Sequence, residues 1–279
     1  MYLRSQINKN LRIIAMSTII YPSPIFGPVH SRRLGVSLGI NLLPSDGKIC
    51  TFDCIYCECG LNADHRPKNK VPTREEVAGA LEIRLRDMLK SGLSPDVLTF
   101  AGNGEPTCHP QFAAIIEDTV RLRDKYFPRA KISVLTNATL ITRDEVHQAL
   151  MRVDNNICKL DTVDMDYIHR VDRPSGEWYK VEDIIEGMKR FHGHVIIQTM
   201  FMKGMITVNG ALPQDANNMG EEYVAPWLET VKEIRPQQVM IYTIDRESPD
   251  KGLLKASPEE LNAIRDRVIA AGIPCSASY

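Results

Sequence analysis

A chain of 279 residues is long enough to enclose one large core or two small ones. Its 43% hydrophobic and 25% charged residues exclude both a disordered chain and one built around membrane spans. Lys and Arg number 34 against 35 Asp and Glu, so the formal net charge is −1, which argues against a protein that relies on bulk charge to hold nucleic acid. Seven cysteines are too few for a disulfide scaffold, and three of them at metal-ligand spacing point to a reducing, cytoplasmic setting.

The apolar run Leu11-Arg12-Ile13-Ile14-Ala15-Met16 is broken by Arg12 and too short for a membrane helix. Met16 opens a phrase that reads as a natural start, so residues 1–15 are expected to be a poorly ordered extension. Residues 36–43 form the first expected strand, and a cysteine-bearing loop follows it directly. Thr73 and Glu76 form a capping box that opens a helix with Val77, Leu81, Leu85, Met88 and Leu89 on its apolar face. Residues 97–101 are the second strand, and the helix after it carries Phe112, Ile115, Ile116 and Val120 on one side.

Residues 132–136 are the third strand. Thr142 and Glu145 read as a second capping box, ahead of Val146, Ala149, Leu150 and Val153. Residues 157–161 give the fourth strand, 181–191 a helix and 195–202 the fifth strand. Residues 204–219, with Gly, Pro and Asn, read as a lid or insertion loop. A helix over 223–234, a sixth strand over 238–243 and a helix capped at Ser257 complete the pattern, leaving a tail from Pro274. Six strand–helix units in succession imply an α/β protein with a parallel sheet. A partial (β/α)6 TIM-like barrel fits, with a flat doubly wound sheet as the alternative. Either places ligands at the C-terminal ends of the strands.

The chemistry concentrates in Cys50-Thr51-Phe52-Asp53-Cys54-Ile55-Tyr56-Cys57. Three thiols within eight residues of an irregular loop are hard to explain as packing, unlike Cys158 inside a strand. Three protein ligands leave one corner of a [4Fe–4S] cube open for a substrate or cofactor. Zinc would require a fourth ligand, for which Cys59, His65, Cys108 and His109 are the nearby choices. Tyr56 reads either as a ring over an adenine-like group or as a shield for the cluster. The turn Gly102-Asn103-Gly104-Glu105-Pro106-Thr107 offers exposed backbone and a carboxylate to an ammonium group, although many strand–helix turns look alike. Lys159 and Asp161 share one face of a strand, where charges are costly unless they meet a ligand or each other. The basic phrases at residues 65–70 and 121–125 read first as solvated faces.

Cys50, Cys54 and Cys57 at this spacing, Tyr56, and the turn at 102–107 after the next strand resemble the radical S-adenosylmethionine (SAM) superfamily, over about residues 34–245. The phrases Gly27-Pro28-Val29-His30-Ser31-Arg32-Arg33-Leu34-Gly35, Lys159-Leu160-Asp161 and His169-Arg170-Val171-Asp172-Arg173-Pro174 resemble its branch related to wyosine-tRNA synthetases. The resemblance implies an N-terminal extension and lead-in over residues 1–33, a radical SAM core over 34–245, and a C-terminal helix and tail over 246–279. It implies an iron–sulfur enzyme, oxidoreductase-like, in which Cys50, Cys54 and Cys57 hold a [4Fe–4S] cluster. SAM would meet Tyr56 at its adenine and Gly102, Asn103, Gly104 and Glu105 at its methionyl amino end. Asn137, Lys159, Asp161 and Gln198 would meet its ribose and carboxylate. Reductive cleavage of SAM would give a 5′-deoxyadenosyl radical that takes hydrogen from a substrate, with flavodoxin or ferredoxin as electron donor and tRNA as one possible target. A tRNA-guanosine modifier and a non-catalytic iron–sulfur or zinc module are the competing functions.

Overall fold

The structure is a computed structural model that describes residues 18–31, 35–207 and 212–279. The expected extension over 1–15 lies outside the described residues, as do Arg32, Arg33 and Leu34 of the lead-in phrase and residues 208–211 of the expected loop. In chain order the elements are β1 (Ile25–Ser31), β2 (Gly35–Ile40), α1 (Arg74–Ser91), β3 (Val97–Phe100), α2 (Phe112–Tyr126), β4 (Lys131–Thr136) and α3 (Asp144–Leu150). Next come β5 (Asn155–Lys159), α4 (Met165–Val171), α5 (Val181–Lys189), β6 (Ile196–Met200), β7 (Met202–Ile206) and β8 (Gln214–Asp215). The chain ends in α6 (Glu221–Ile234), β9 (Gln238–Tyr242), β10 (Leu253–Lys255), α7 (Pro258–Ala270) and β11 (Cys275–Ser278).

The six expected strands are β2, β3, β4, β5, β6 and β9, adjacent in that order and parallel. Two edge strands extend them: β1 pairs antiparallel with β2, and β11 pairs parallel with β9. Neither edge strand is apparent in the sequence, because β1 contains Pro28 and β11 reads only Cys-Ser-Ala-Ser. The Thr73–Glu76 capping box and the cap at Ser257 form as expected, the latter as a box with Glu260, whereas Leu89 on α1 is exposed. The second box does not form: α3 begins at Asp144, capped by Arg143 without a side-chain bond. The fifth strand is shorter than expected, since Phe201 donates to Tyr242 O at 2.8 Å and turns the chain into β7. There β7, β8 and β10 form a small antiparallel sheet, so the expected loop is partly ordered.

Alternation along the strands separates two faces. Leu38, Ile40, Leu98, Phe100, Ile132, Val134, Cys158, Ile197, Val239 and Ile241 face the helices in the main core. Residues between them on the strands, such as Ser37, Thr99, Ser133, Lys159 and Gln198, fall on the other face, where Ser37 and Thr99 hydrogen-bond at 2.7 Å. Ile157, Ile196 and Met240 make a small apolar patch there. One cavity is lined both by Val97 and Lys131, opening β3 and β4, and by Ser276 to Ser278 of β11. Strands β3 and β11 are five places apart in the sheet order, roughly 24 Å in a flat sheet. Residues so far apart meet across one cavity only if the sheet curls, which selects the open partial barrel over the flat doubly wound sheet. No described helix is long and apolar enough to cross a membrane.

Candidate functional site

The cysteine loop lies beyond the C-terminal end of β2, and backbone hydrogen bonds fix its path. Ile49 N donates to Asn103 O at 3.0 Å, and Glu105 N donates to Ile49 O at 3.0 Å. Farther on, Asp53 N reaches Asp172 O, Ile55 N reaches Val171 O, and Ser175 N reaches Thr51 O. Asn62 adds two bonds from its amide, to Cys50 O and Phe52 O. The irregular loop is therefore tied on one side to the turn after β3 and on the other to the end of α4. Cys50, Cys54 and Cys57 are partly accessible yet closely surrounded by protein. Burial pushes the Cys50 thiol up to about 12 and holds Cys54 well above its ordinary range. Cys57 moves the other way, to about 6, because Cys59 hydrogen-bonds to it.

The turn after β3 requires its glycines. At Gly104 the backbone has φ +129°, and a Cβ there would lie 1.9 Å from Ile49 O. That close approach is what lets Ile49 and Gly104 pair as a β-bridge. Asn103 is fully buried, its side chain bonding Tyr21 and Pro44. Glu105 is also buried. Its Oε1 accepts from Thr107 N, Thr107 Oγ1 and Thr136 Oγ1, and its Oε2 accepts from Asn137 N at 2.6 Å. Burial still holds its carboxyl above the ordinary range. Glu105 thus bolts the β3 turn to the end of β4. Asn137 continues the link, donating from Nδ2 to Thr51 Oγ1 at 2.8 Å and to Cys50 Sγ at 3.5 Å.

On the inner face, Lys159 and Asp161 form an ion pair with each other. Asp172, from the turn after α4, joins at 2.9 Å from Lys159, and the Tyr56 hydroxyl hydrogen-bonds both carboxylates. Asp161 also accepts from Met200 N at 2.8 Å. Burial alone would lower Lys159, but the two carboxylates hold it well above its ordinary range. Burial raises Asp172 to about 6. Tyr56 therefore anchors the cysteine loop to β5 by its hydroxyl, and both strand charges are satisfied within the protein. Gln198 sits beside Lys159 in register, partly exposed.

Asp172 is a site residue that its place in the phrase at 169–174 does not reveal. Lys48 is another, whose only signal in the sequence is a position two residues before Cys50. Lys48 is 3% exposed, and its Nζ donates to Gly60 O at 2.7 Å. The basic phrase at 121–125 is a paired surface: Arg121 meets Asp118, Arg123 meets Asp154, and Lys125 meets Glu82.

Among the described residues, no three His, Cys, Asp or Glu side chains converge to hold a single metal ion. A cube makes a different demand, since each thiolate takes its own iron. Three thiols on one tied loop, with the N–H groups of Phe52 and Asn137 aimed at Cys50 Sγ, suit that second donor set. Residues 45–212 match the Radical SAM superfamily. The chain belongs to the radical SAM superfamily. It is 34% identical over 245 residues to a UPF0026 protein of Helicobacter pylori, covering 86% of this chain and 72% of that one. Its fold is similar to that of Streptococcus suis SuiB bound to S-adenosylmethionine, with TM-score 0.60, 14% identity, and 86% and 50% of the two chains covered. It is similar as well to a structure of TYW1 with a lysine–pyruvate adduct, with TM-score 0.58, 14% identity, and 84% and 73% covered.

Proposed function

We propose that this radical SAM protein is an enzyme whose Cys50, Cys54 and Cys57 hold a [4Fe–4S] cluster with SAM at the open corner. The observation that carries this reading is the joining of two independent motifs. Ile49 and Gly104 pair the cysteine loop with the Gly102–Gly104 turn, and Asn137 bonds both Cys50 and Glu105. When bound and reduced, such a cluster supplies the electron that splits SAM into methionine and a 5′-deoxyadenosyl radical able to take hydrogen from a substrate. This chain's residues supply the setting. Gly102 to Gly104 present backbone to the methionyl amino group while Glu105 holds the turn from within. Tyr56 borders the adenine side, steadied by Asp161 and Asp172. Asn137 and Gln198 are the remaining polar groups for ribose or carboxylate, and Lys159 and Asp161 contribute through their pair.

In this reading the protein works in a reducing cytoplasm, with flavodoxin or ferredoxin as the electron source. Anaerobic reconstitution followed by iron, sulfide and zinc analysis tests the cofactor. The expected result is about four irons per chain and a visible spectrum that changes when SAM is added. One zinc with no iron favours the metal-module alternative and contradicts the proposal. The lead-in and 169–174 phrases, which resemble the branch related to wyosine-tRNA synthetases, favour tRNA guanosine as the substrate class, and the formal net charge of −1 counts against it. A modified guanosine missing from tRNA of a deletion strain would support that second reading.

A further inference from the structure

Two lysines lie near the cysteine loop, Lys48 buried and Lys159 with 14% of its side chain exposed, and their surroundings differ. Lys159 is matched by two carboxylates, Asp161 and Asp172. Lys48 has a single carboxylate at the limit of an ion pair, Asp53 at 3.9 Å, whose side chain is 24% exposed and also accepts from Asn62 N. The Lys48 ammonium also donates to the Gly60 carbonyl. Gly60 N in turn donates to Cys57 O at 2.9 Å, so the ammonium sits against the turn that carries Cys57. Cys57 and Cys50 are the thiols on which its charge bears most, with Cys54 after them. Burying a cation with so little compensation is costly unless other anions face it. Here the anions are the three sulfurs once they are thiolates.

We propose that Lys48 is a positioning residue for the cluster: a buried counter-cation against the turn that carries Cys57, which raises the cluster's reduction potential. Reduction adds one electron to a unit of cluster and three thiolates that is already anionic. A fixed positive charge close by, screened little by water, lowers the cost of that electron. The Asn137 Nδ2–H and Phe52 N–H aimed at Cys50 act in the same direction with smaller dipoles. Glu105 and Asp172 oppose it at Cys50 and Cys54, while Lys159 favours Cys54 but is shared with its two carboxylates. Of the two lysines, Lys48 is therefore the one whose charge is less used elsewhere.

The inference rests on the cluster reading, and one experiment separates the two. Wild type, Lys48→Met, Lys48→Gln and Lys48→Arg are reconstituted anaerobically, checked for fold by circular dichroism, and analysed for iron. Each is then titrated with reductant while the reduced cluster is followed by electron paramagnetic resonance. The potential is expected to fall in Lys48→Met and Lys48→Gln and to stay near wild type in Lys48→Arg. Equal potentials in all four overturn the Lys48 role and leave the cluster reading intact. If both neutral variants fold but hold no iron while Lys48→Arg holds it, the charge role stands. If Lys48→Arg also folds without iron, Lys48 acts by shape and the proposal fails. The proposal also fails if the neutral variants lose their fold along with their iron. Wild type that takes up no iron overturns both the inference and the cluster reading.

Discussion

At the C-terminal ends of the strands, buried polar groups crowd together and satisfy one another: Glu105 with four donors, Lys159 with two carboxylates, and Asn137 with Thr51 and Cys50. At the N-terminal ends of β3, β4, β5 and β9, a cavity of about 920 Å³ opens between Val97, Lys131, Asn155, Gln238 and β11. This cavity is lined by neither the cysteine loop nor the Gly102–Glu105 turn. The polar end is fixed before any ligand arrives, because nearly every group that positions the cysteine loop is already bonded. The open end follows from a curled sheet whose edges do not meet.

Substitutions at the two ends should therefore differ greatly in effect. Cys54→Ala is expected to abolish cluster binding and every trace of SAM cleavage, measured as iron content and 5′-deoxyadenosine; retained cleavage would remove Cys54 from the site. Lys159→Met leaves Asp161 and Asp172 buried without their cation and is expected to cost about 3–5 kcal/mol in chemical denaturation. A smaller loss would mean that water reaches the pair. Glu105→Gln exchanges one acceptor oxygen for an N–H group that faces donors, an expected loss of about 1–3 kcal/mol.

Asp172 tests the same end through pH. Its folded carboxyl lies near 6, above the ordinary carboxylate value, so the folded state binds this proton more tightly than the unfolded state. Its contribution to stability is full at acid pH and is lost as pH rises through about 6. The stability of wild type relative to Asp172→Asn should therefore fall between about pH 4 and 6 and level off above. A relative stability that rises over that interval contradicts the assignment. At the open end, Ser278→Phe is expected to change stability by no more than about 0.5 kcal/mol and to leave SAM cleavage intact. A large loss of cleavage there would place the chemistry at the cavity instead.

The central architecture was legible because its signals are strong and local. Apolar alternation, capping at Thr73 and Ser257, and glycines at a strand end each carry a physical requirement that the sequence displays. The edge strands were not, since β1 and β11 bury little and are held mainly by backbone pairing. At the site, the three cysteines were visible by spacing, and the structure brings them together with the Gly102–Glu105 turn. The partners were not visible. Nothing in the composition shows that Glu105 turns inward onto Thr136 and Asn137, or that Lys159 finds Asp172 from a different element. Such pairings depend on contacts between residues far apart in sequence. Lys48 is the sharpest case, an ordinary-looking basic residue whose meaning comes from being buried against the turn that carries Cys57.

The most direct test of the account is product formation by the reconstituted wild-type protein. Incubated anaerobically with dithionite and SAM, an iron-loaded sample should release 5′-deoxyadenosine and methionine in equal amounts, and Cys54→Ala should release neither. An iron-loaded wild-type sample that binds SAM and leaves it uncleaved would contradict the central claim.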